Sequence, residues 1–243
     1  MARGAPFLAS GLEVDFPQMK GYSEKKKVSI TTTWVIAGFK ALLILLVLVL
    51  VFWSREEPDP ATAWREGIAR QVGALARKDW GAAIAAEGTA SLGDHVRITV
   101  HHSGAGVFSA IEKRSAGRAI RGIQKTHMGA NGWDDIGYHY IVDPAGRLWE
   151  GRHLDRIGAH AGSRDLNRGN IGILLLGNFD LQEPPRAQLE RLGALLAALQ
   201  GIFAIADAEI YTHNRIRAME GLAPTACPGR YITDWIESRR KKK

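Results

Sequence analysis

Three separated segments carry the residue types of a metal site: Thr-Val-His-His-Ser at 99–103, Tyr-Thr-His-Asn at 211–214, and Ala-Pro-Thr-Ala-Cys-Pro-Gly at 223–229. The last holds Cys227, the only cysteine of the 243-residue chain. Two imidazoles and one thiolate make a three-ligand zinc set that leaves a fourth tetrahedral position for water. That open position separates a hydrolytic zinc from a structural one. A lone thiol that serves as a metal ligand is also no liability in an oxidising compartment, and one cysteine excludes an internal disulfide framework.

Ligands drawn from such distant segments need a rigid frame, and from residue 95 the chain alternates strand and helix patterns. His95–His101 reads as a strand with Val96, Ile98 and Val100 on one face. Ser109–Lys125 has helical spacing, with Ser109 as its expected cap. Ile136–Val142 and Arg147–Glu150 flank the turn Asp143-Pro144-Ala145-Gly146 and form a hairpin. Asn170–Leu176 is a continuous apolar run, the pattern of a central strand covered on both faces. Pro184-Pro185 opens a helix through Leu199, striped by Leu189, Leu192, Leu195, Leu196 and Leu199. Glu209–Tyr211 is a short strand and Tyr231–Ser238 a final helix. The expected fold is α/β, a single domain with a central mixed sheet flanked by helices, without internal repeats.

Ahead of this domain, residues 34–53 read WVIAGFKALLILLVLVLVFW, about the ~20 residues that cross a bilayer. Trp34 and Trp53 sit at its ends, where aromatic rings prefer the interface, and Lys40 can snorkel to the near headgroups. Lys20, Lys25, Lys26 and Lys27 precede it, whereas Arg55, Glu56, Glu57 and Asp59 follow. The positive-inside rule then puts residues 1–33 in the cytoplasm as a tail and the rest outside, in the periplasm of a double-membraned cell. A cleavable leader with Ala61-Thr62-Ala63 as its site fits less well, because that site lies well past the apolar run. Residues 54–94 are expected to be a linker plus a membrane-proximal helix. Trp64, Ile68, Val72 and Leu75 are helically spaced there, as either a stalk or a helix packed on the domain. The domain proper spans 95–238, and 239–243 (Arg-Arg-Lys-Lys-Lys) form a basic tail, either solvated or adhering to anionic lipid or wall polymer.

The composition, 46% hydrophobic with a net charge of +7, excludes disorder for the bulk and favours an anionic partner. Nucleic acid is disfavoured, because the positive charge is dispersed or terminal and the domain is placed outside the cytoplasm.

Residues 96–236 resemble the zinc-dependent N-acetylmuramoyl-L-alanine amidases of the phage-lysozyme and peptidoglycan-recognition-protein superfamily. The resemblance rests on Val-His-His-Ser at 100–103, Gly-Trp-Asp-Asp-Ile-Gly-Tyr-His-Tyr at 132–140 and Trp-Glu-Gly-Arg at 149–152. It continues in Gly-Ala-His-Ala-Gly at 158–162, Asn-Ile-Gly-Ile at 170–173, His213, and Thr-Ala-Cys-Pro-Gly at 225–229. It assigns the metal, Zn2+, to His101, His213 and Cys227. Alternation independently favours His101 over His102, since His101 shares a strand face with Arg97 and Thr99 whereas His102 continues the apolar row.

The activity the resemblance implies is hydrolysis of the amide between N-acetylmuramic acid and the first L-alanine of the stem peptide. Tyr138 and Thr225 take the catalytic positions beside the metal, with threonine where some members carry lysine. His160 and Asn167 take positions lining the groove. Trp133, with Gly132, and Arg152 take those that go with meso-diaminopimelate stems, Arg152 supplying the cation for the extra carboxylate. Leu174 stands where the cell-wall recycling branch has a glutamate base, which places the chain with the phage-lysozyme branch; Glu150 reads as structural. Arg215–Ala223 make a longer loop before the Pro-Thr-Ala-Cys piece than in close relatives. His95, His127 and His153 receive no role. The alternatives are a non-catalytic peptidoglycan-sensing module, which typically loses the cysteine or first histidine, and a phage endolysin with a signal anchor. The dense Leu/Val run at 42–51 favours a permanent anchor and wall remodelling. The oligomeric state is left open.

Overall fold

A computed structural model of the chain describes residues 32–53, 60–86 and 90–241. The chain divides into two compact units, residues 1–57 and 58–243. In the first, helix α1 (Thr32–Trp53) coincides with the apolar run. Its side chains are described at residues 37–49, where Phe39, Leu42, Leu43, Ile44 and Leu45 are exposed. Among the described residues no helix is long and apolar enough to cross a membrane, so the expected span rests on the sequence. The expected cytoplasmic tail up to residue 31, the linker at 54–59 and the last two lysines of the basic tail lie outside the described residues.

The second unit is built on a five-stranded mixed sheet in the order β3-β2-β4-β1-β5. Its strands are β1 (Arg97–His102), β2 (Tyr140–Val142), β3 (Leu148–Glu150), β4 (Asn170–Leu175) and β5 (Ile210–Thr212). β1 runs parallel to β4 and β5, β2 runs parallel to β4, and β2–β3 is the antiparallel hairpin. Every residue of β4 is buried, as the unbroken Asn-Ile-Gly-Ile-Leu-Leu run requires of a strand with neighbours on both sides and layers on both faces.

Alternation sorts the sheet's side chains into two layers. Ile98, Val100, Val142, Ile171, Ile173 and Leu175 face the main core, which is completed by helix α5 (Arg186–Phe203) and helix α7 (Arg230–Lys241). Leu192, Leu195, Leu196 and Leu199 of α5 are buried in it, while Leu189 is partly buried at its margin. On the other face Ile141, Trp149, Leu174 and Leu176 pack against Ala116 and Ile120 of helix α3 (Lys113–Gly129).

Two expectations are corrected. α3 begins at Lys113 rather than at Ser109, and Glu112 occupies its cap position without a side-chain bond. The helix starts where Ala116, Ile120 and Gln124, four residues apart, can all be buried; Ile111 before it is 64% exposed. The helical pattern over 61–87 stops early. Helix α2 (Pro60–Gln71) ends before Gly73, whose φ of +69° belongs to the left-handed region. The chain then bridges to β3 through Leu75 N–H to Leu148 O and Glu150 N–H to Leu75 O, both 2.8 Å, and makes a 3-10 turn at Arg77–Trp80. Ile68 and Val72 enter the main core and Trp80 the second one, so this stretch is part of the domain.

Candidate metal centre and groove

His101 is the fifth residue of β1, 1% exposed, and points to the groove face. His213 follows β5 directly and opens helix α6 (His213–Met219), where the Thr212 hydroxyl accepts the Arg215 N–H at 3.3 Å and starts the turn. Cys227 arrives on the 223–229 loop. That loop is tied to α6 by Asn214 N–H to Cys227 O at 3.1 Å and by Thr225 N–H to Asn214 Oδ1 at 3.0 Å. The His102 N–H donates to Cys227 Sγ at 3.4 Å, fixing the sulfur over the end of β1. One ligand atom from each of His101, His213 and Cys227 lies within 4.8 Å of the others, and His101 Nδ1 is 3.7 Å from the sulfur. His102 points the other way, its Nδ1 accepting the Phe179 N–H at 3.2 Å.

A chain of hydrogen bonds sets the His101 tautomer. His160 Nε2 lies 3.1 Å from the Asn170 carbonyl, which only accepts, so that nitrogen carries the proton. His160 Nδ1 is then an acceptor, and His101 Nε2, 3.0 Å away, donates to it. His101 Nδ1 is left with its lone pair directed to the cysteine side. His160 can sit there because β4 has Gly172 beneath it; a Cβ at that position would lie 2.5 Å from the His160 ring.

Electrostatics keep the trio ready for a cation. Burial first, then His160 and His213, hold His101 well below the usual histidine range. Burial, then Arg217 and His102, bring His213 down to about 4. Both imidazoles are therefore neutral at physiological pH. Burial pushes the Cys227 thiol up to about 12, so its ionisation calls for an adjacent cation. The His213 Nε2 is buried without a hydrogen-bond partner. Two neutral imidazoles, one thiol and an orphaned ring nitrogen fit Zn2+ and leave room for a further ligand.

The remaining sequence-predicted residues gather around this centre, with different commitments. The Tyr138 ring lies 5.1 Å from that of His101, and burial, reinforced by Cys227, raises its phenol well above the ordinary tyrosine value. Thr225 Oγ1 accepts the Cys227 N–H at 3.3 Å. Arg152, 3% exposed, donates to the carbonyls of Ile136, Ile157 and Asp135, which leaves two of its five N–H donors. The Asn167 side chain is fully occupied by the fold. Its Oδ1 takes the His160 and Ala161 N–H groups at 2.9 Å each and its Nδ2 donates to Ser163 O, so it shapes the His160 loop. Arg152 and Asn167, together with Trp133, Tyr138, His160 and His213, line a groove of about 610 Å³, whereas Thr225 stands outside that lining. Tyr138 also borders a second hollow of about 590 Å³, walled by Val107, Phe108, Ile123 and Leu176. Leu174 is fully buried, and Glu150 pairs with His153 at 3.3 Å.

Sequence reading passed over His127. It sits three residues past Gln124 on the buried stripe of α3, a spacing that could have placed it, and its ring meets Trp133 at 4.6 Å and Tyr138 at 5.7 Å. It also passed over Arg164 and Arg217, which face the groove from two short helices too brief to show periodicity.

Residues 93–230 match the sequence profile described as N-acetylmuramoyl-L-alanine amidase, Amidase_2. The chain is 30% identical over 165 residues to peptidoglycan-recognition protein SC2 of Drosophila melanogaster, covering 68% of this chain and 84% of that one. It is 30% identical over 134 residues to the N-acetylmuramoyl-L-alanine amidase of Sus scrofa, covering 54% of this chain and 21% of that one. Among solved structures it resembles peptidoglycan recognition protein-LE in complex with tracheal cytotoxin, a monomeric diaminopimelic acid-type peptidoglycan. There the TM-score is 0.60 at 26% identity, covering 68% of this chain and 92% of that one.

Proposed function

This chain belongs to the N-acetylmuramoyl-L-alanine amidase family, and from that membership and its ligand trio we propose that it is a zinc-dependent peptidoglycan hydrolase. The bond cut is the amide between N-acetylmuramic acid and the L-alanine of the stem. The observation that carries this reading is the convergence of His101, His213 and Cys227 within 4.8 Å, with His213 also lining an open groove. A purely sensing module has no need of a neutral two-histidine, one-cysteine set.

Zinc held by these three residues supplies Lewis acidity toward the scissile carbonyl and toward water, whose pKa falls from 15.7 to ~7 on such a centre. The protein's own part is to orient and to donate. His160 holds His101 in the tautomer that offers Nδ1. Tyr138, kept un-ionised by burial, donates its hydroxyl proton to the oxygen on which negative charge develops. The Thr225 hydroxyl accepts from Cys227 N–H, so its own proton is free to donate. The chain has Leu174, fully buried, rather than a carboxylate at that position, so no base is supplied from there. Arg152, anchored by three carbonyls with two donors to spare, suits the extra carboxylate of a diaminopimelate stem. Diaminopimelate-type peptidoglycan bound by the recognition protein-LE supports that substrate class.

The apolar run at 34–53 and the charge asymmetry around it support a permanent single-pass anchor, with the domain outside the cytoplasmic membrane and acting in wall remodelling.

The test is mass spectrometry of products from the full chain incubated with purified diaminopimelate-type sacculi, with and without chelator. Free stems beginning with L-alanine, abolished by chelation and in Cys227→Ser, are expected. Sacculi that stay intact but retain the protein would turn the reading to a wall-binding module.

A further inference from the structure

Two arginines in the groove play no part in this mechanism. Arg164 stands on α4 (Arg164–Asn167) and Arg217 on α6, and both line the groove with the metal ligand His213. Several arginines elsewhere in the domain meet carboxylates, among them Arg77 with Asp135 at 2.8 Å, Arg147 with Asp143 at 2.6 Å and Arg65 with Asp155 at 3.1 Å. Among the described residues, neither Arg164 nor Arg217 makes an ion pair, so two guanidiniums face the groove without a bonded carboxylate, Asp134 being the one acid in its lining.

Their placement is fixed by packing. Leu166 of α4, Ile216 of α6, Ala161 and Tyr211 form one buried cluster, against which Leu222 of the 215–223 loop also packs. The two short helices are thereby joined. Arg217 Nε donates to the Ala223 carbonyl at 2.7 Å, which holds one edge of the guanidinium and leaves its Nη groups for another partner. The guanidinium passes directly over Gly162, where φ is +104° and an added Cβ would meet Arg217 Nη1 at 2.5 Å. Gly162 thus admits the arginine by having no side chain. Arg217 is also four residues beyond His213, one turn along the same helix, so it stands beside the centre that cuts.

We propose that Arg164 and Arg217 form a carboxylate-binding subsite for the free α-carboxylate of the stem's second residue. This rests on the amidase reading above. The residue after the first L-alanine is a glutamate joined onward through its side-chain carboxyl, which leaves its α-carboxylate free one residue from the scissile amide. Planar guanidinium forks bind a carboxylate with paired, charge-assisted hydrogen bonds, and the neutral amide found in amidated walls offers neither the charge nor the second acceptor. The Arg164–Arg217 pair therefore selects stems with a free acid at that position, separately from the third-residue carboxylate assigned to Arg152.

The experiment compares N-acetylmuramoyl-L-alanyl-D-glutamate with its isoglutamine counterpart. Binding to the chelator-treated full chain is read by calorimetry and cleavage by the zinc-loaded chain by chromatography. The free acid is expected to bind about tenfold more tightly at low salt. Arg217→Gln and Arg164→Gln should each lower that preference and the double variant should remove it; Arg217→Lys should keep part of it, and Gly162→Ala should behave like Arg217→Gln. Equal binding of both ligands by the unaltered chain, or a preference that survives the double variant, overturns the proposal. Cleavage of both ligands without preference would sink the subsite and leave the amidase standing. Discriminating binding without cleavage would do the reverse.

Discussion

His101 Nε2 lies 3.0 Å from His160 Nδ1, and this hydrogen bond decides which nitrogen of His101 is free to hold a metal. The decision is made two residues away, at the Asn170 carbonyl that takes the other His160 proton. Asn170 is itself held by Thr99 Oγ1 at 3.0 Å and by its own Nδ2 bond to Leu166 O at 2.7 Å. Removing the ring in His160→Ala leaves His101 free to rotate and to change tautomer. Zinc affinity should fall about 10–100-fold, the usual cost of losing a partner behind a metal ligand. Competition against a chromogenic chelator measures it; an unchanged affinity would reduce His160 to groove lining.

The Tyr138 ring lies 5.1 Å from that of the metal ligand His101, and burial keeps its phenol proton on through the physiological range. Tyr138→Phe preserves the ring packing against His101 and His127 while deleting the hydroxyl. The expected loss is about 10²–10³ in kcat with zinc content unchanged, as for removal of one oxyanion donor. A loss confined to KM would reassign the hydroxyl to substrate binding.

His139 gives the domain an acid limit that is independent of catalysis. It is 1% exposed, its Nε2 donates to Arg156 O at 2.9 Å and its Nδ1 accepts the Gly172 N–H at 2.9 Å, so the neutral ring is satisfied on both sides. Burial brings it down to about 3. Above the unfolded value of about 6.5 neither state takes up a proton, and the stabilisation is complete. Below it the unfolded chain protonates first, so stability is lost at ~1.4 kcal/mol per pH unit as the pH falls from about 6.5 toward 3. Thermal melts of the chelated protein should show the midpoint falling steadily from pH 7 to pH 4. His139→Asn should lower the midpoint at pH 7 and flatten that slope; an unaltered slope would assign the acid sensitivity elsewhere.

Much of this was legible in the chain. Period-two alternation placed His101 and His102 on opposite faces, and the structure turns one to the groove and the other to Phe179. The unbroken run at 170–176 marked the central strand, and the leucine stripe marked α5. What escaped depends on contacts between distant segments. No pattern at Asn167 announces that both ends of its amide serve the 160–163 loop, because the partners are backbone groups. Arg152 is likewise held by three carbonyls, which any sequence would offer. α4 and α6 have four and seven residues, too few turns for a hydrophobic period, and their visible signals were the caps Ser163 and Thr212.

Trp80 fastens the segment between α2 and β1 to the domain. The indole is 2% exposed, packs in the core beneath α3 with Ile120 and Trp149, and donates from Nε1 to Glu150 O at 2.8 Å. Leu75, five residues earlier, bonds to β3 on both sides of Trp149 and closes the outer edge of the hairpin. Arg77 adds an ion pair to Asp135, whose own carboxylate also receives Gln124 Nε2 at 2.7 Å. These contacts support the segment that carries Trp133, Tyr138 and Arg152 into the groove, so their loss reaches the site through its frame. Trp80→Ala should cost about 3–5 kcal/mol in denaturant unfolding. A chain beginning at residue 90 lacks Trp80, Leu75 and Arg77 together and should unfold at much lower denaturant than one beginning at residue 58. Equal midpoints for the two would mean that residues 60–86 merely lie on the domain and give the groove no support.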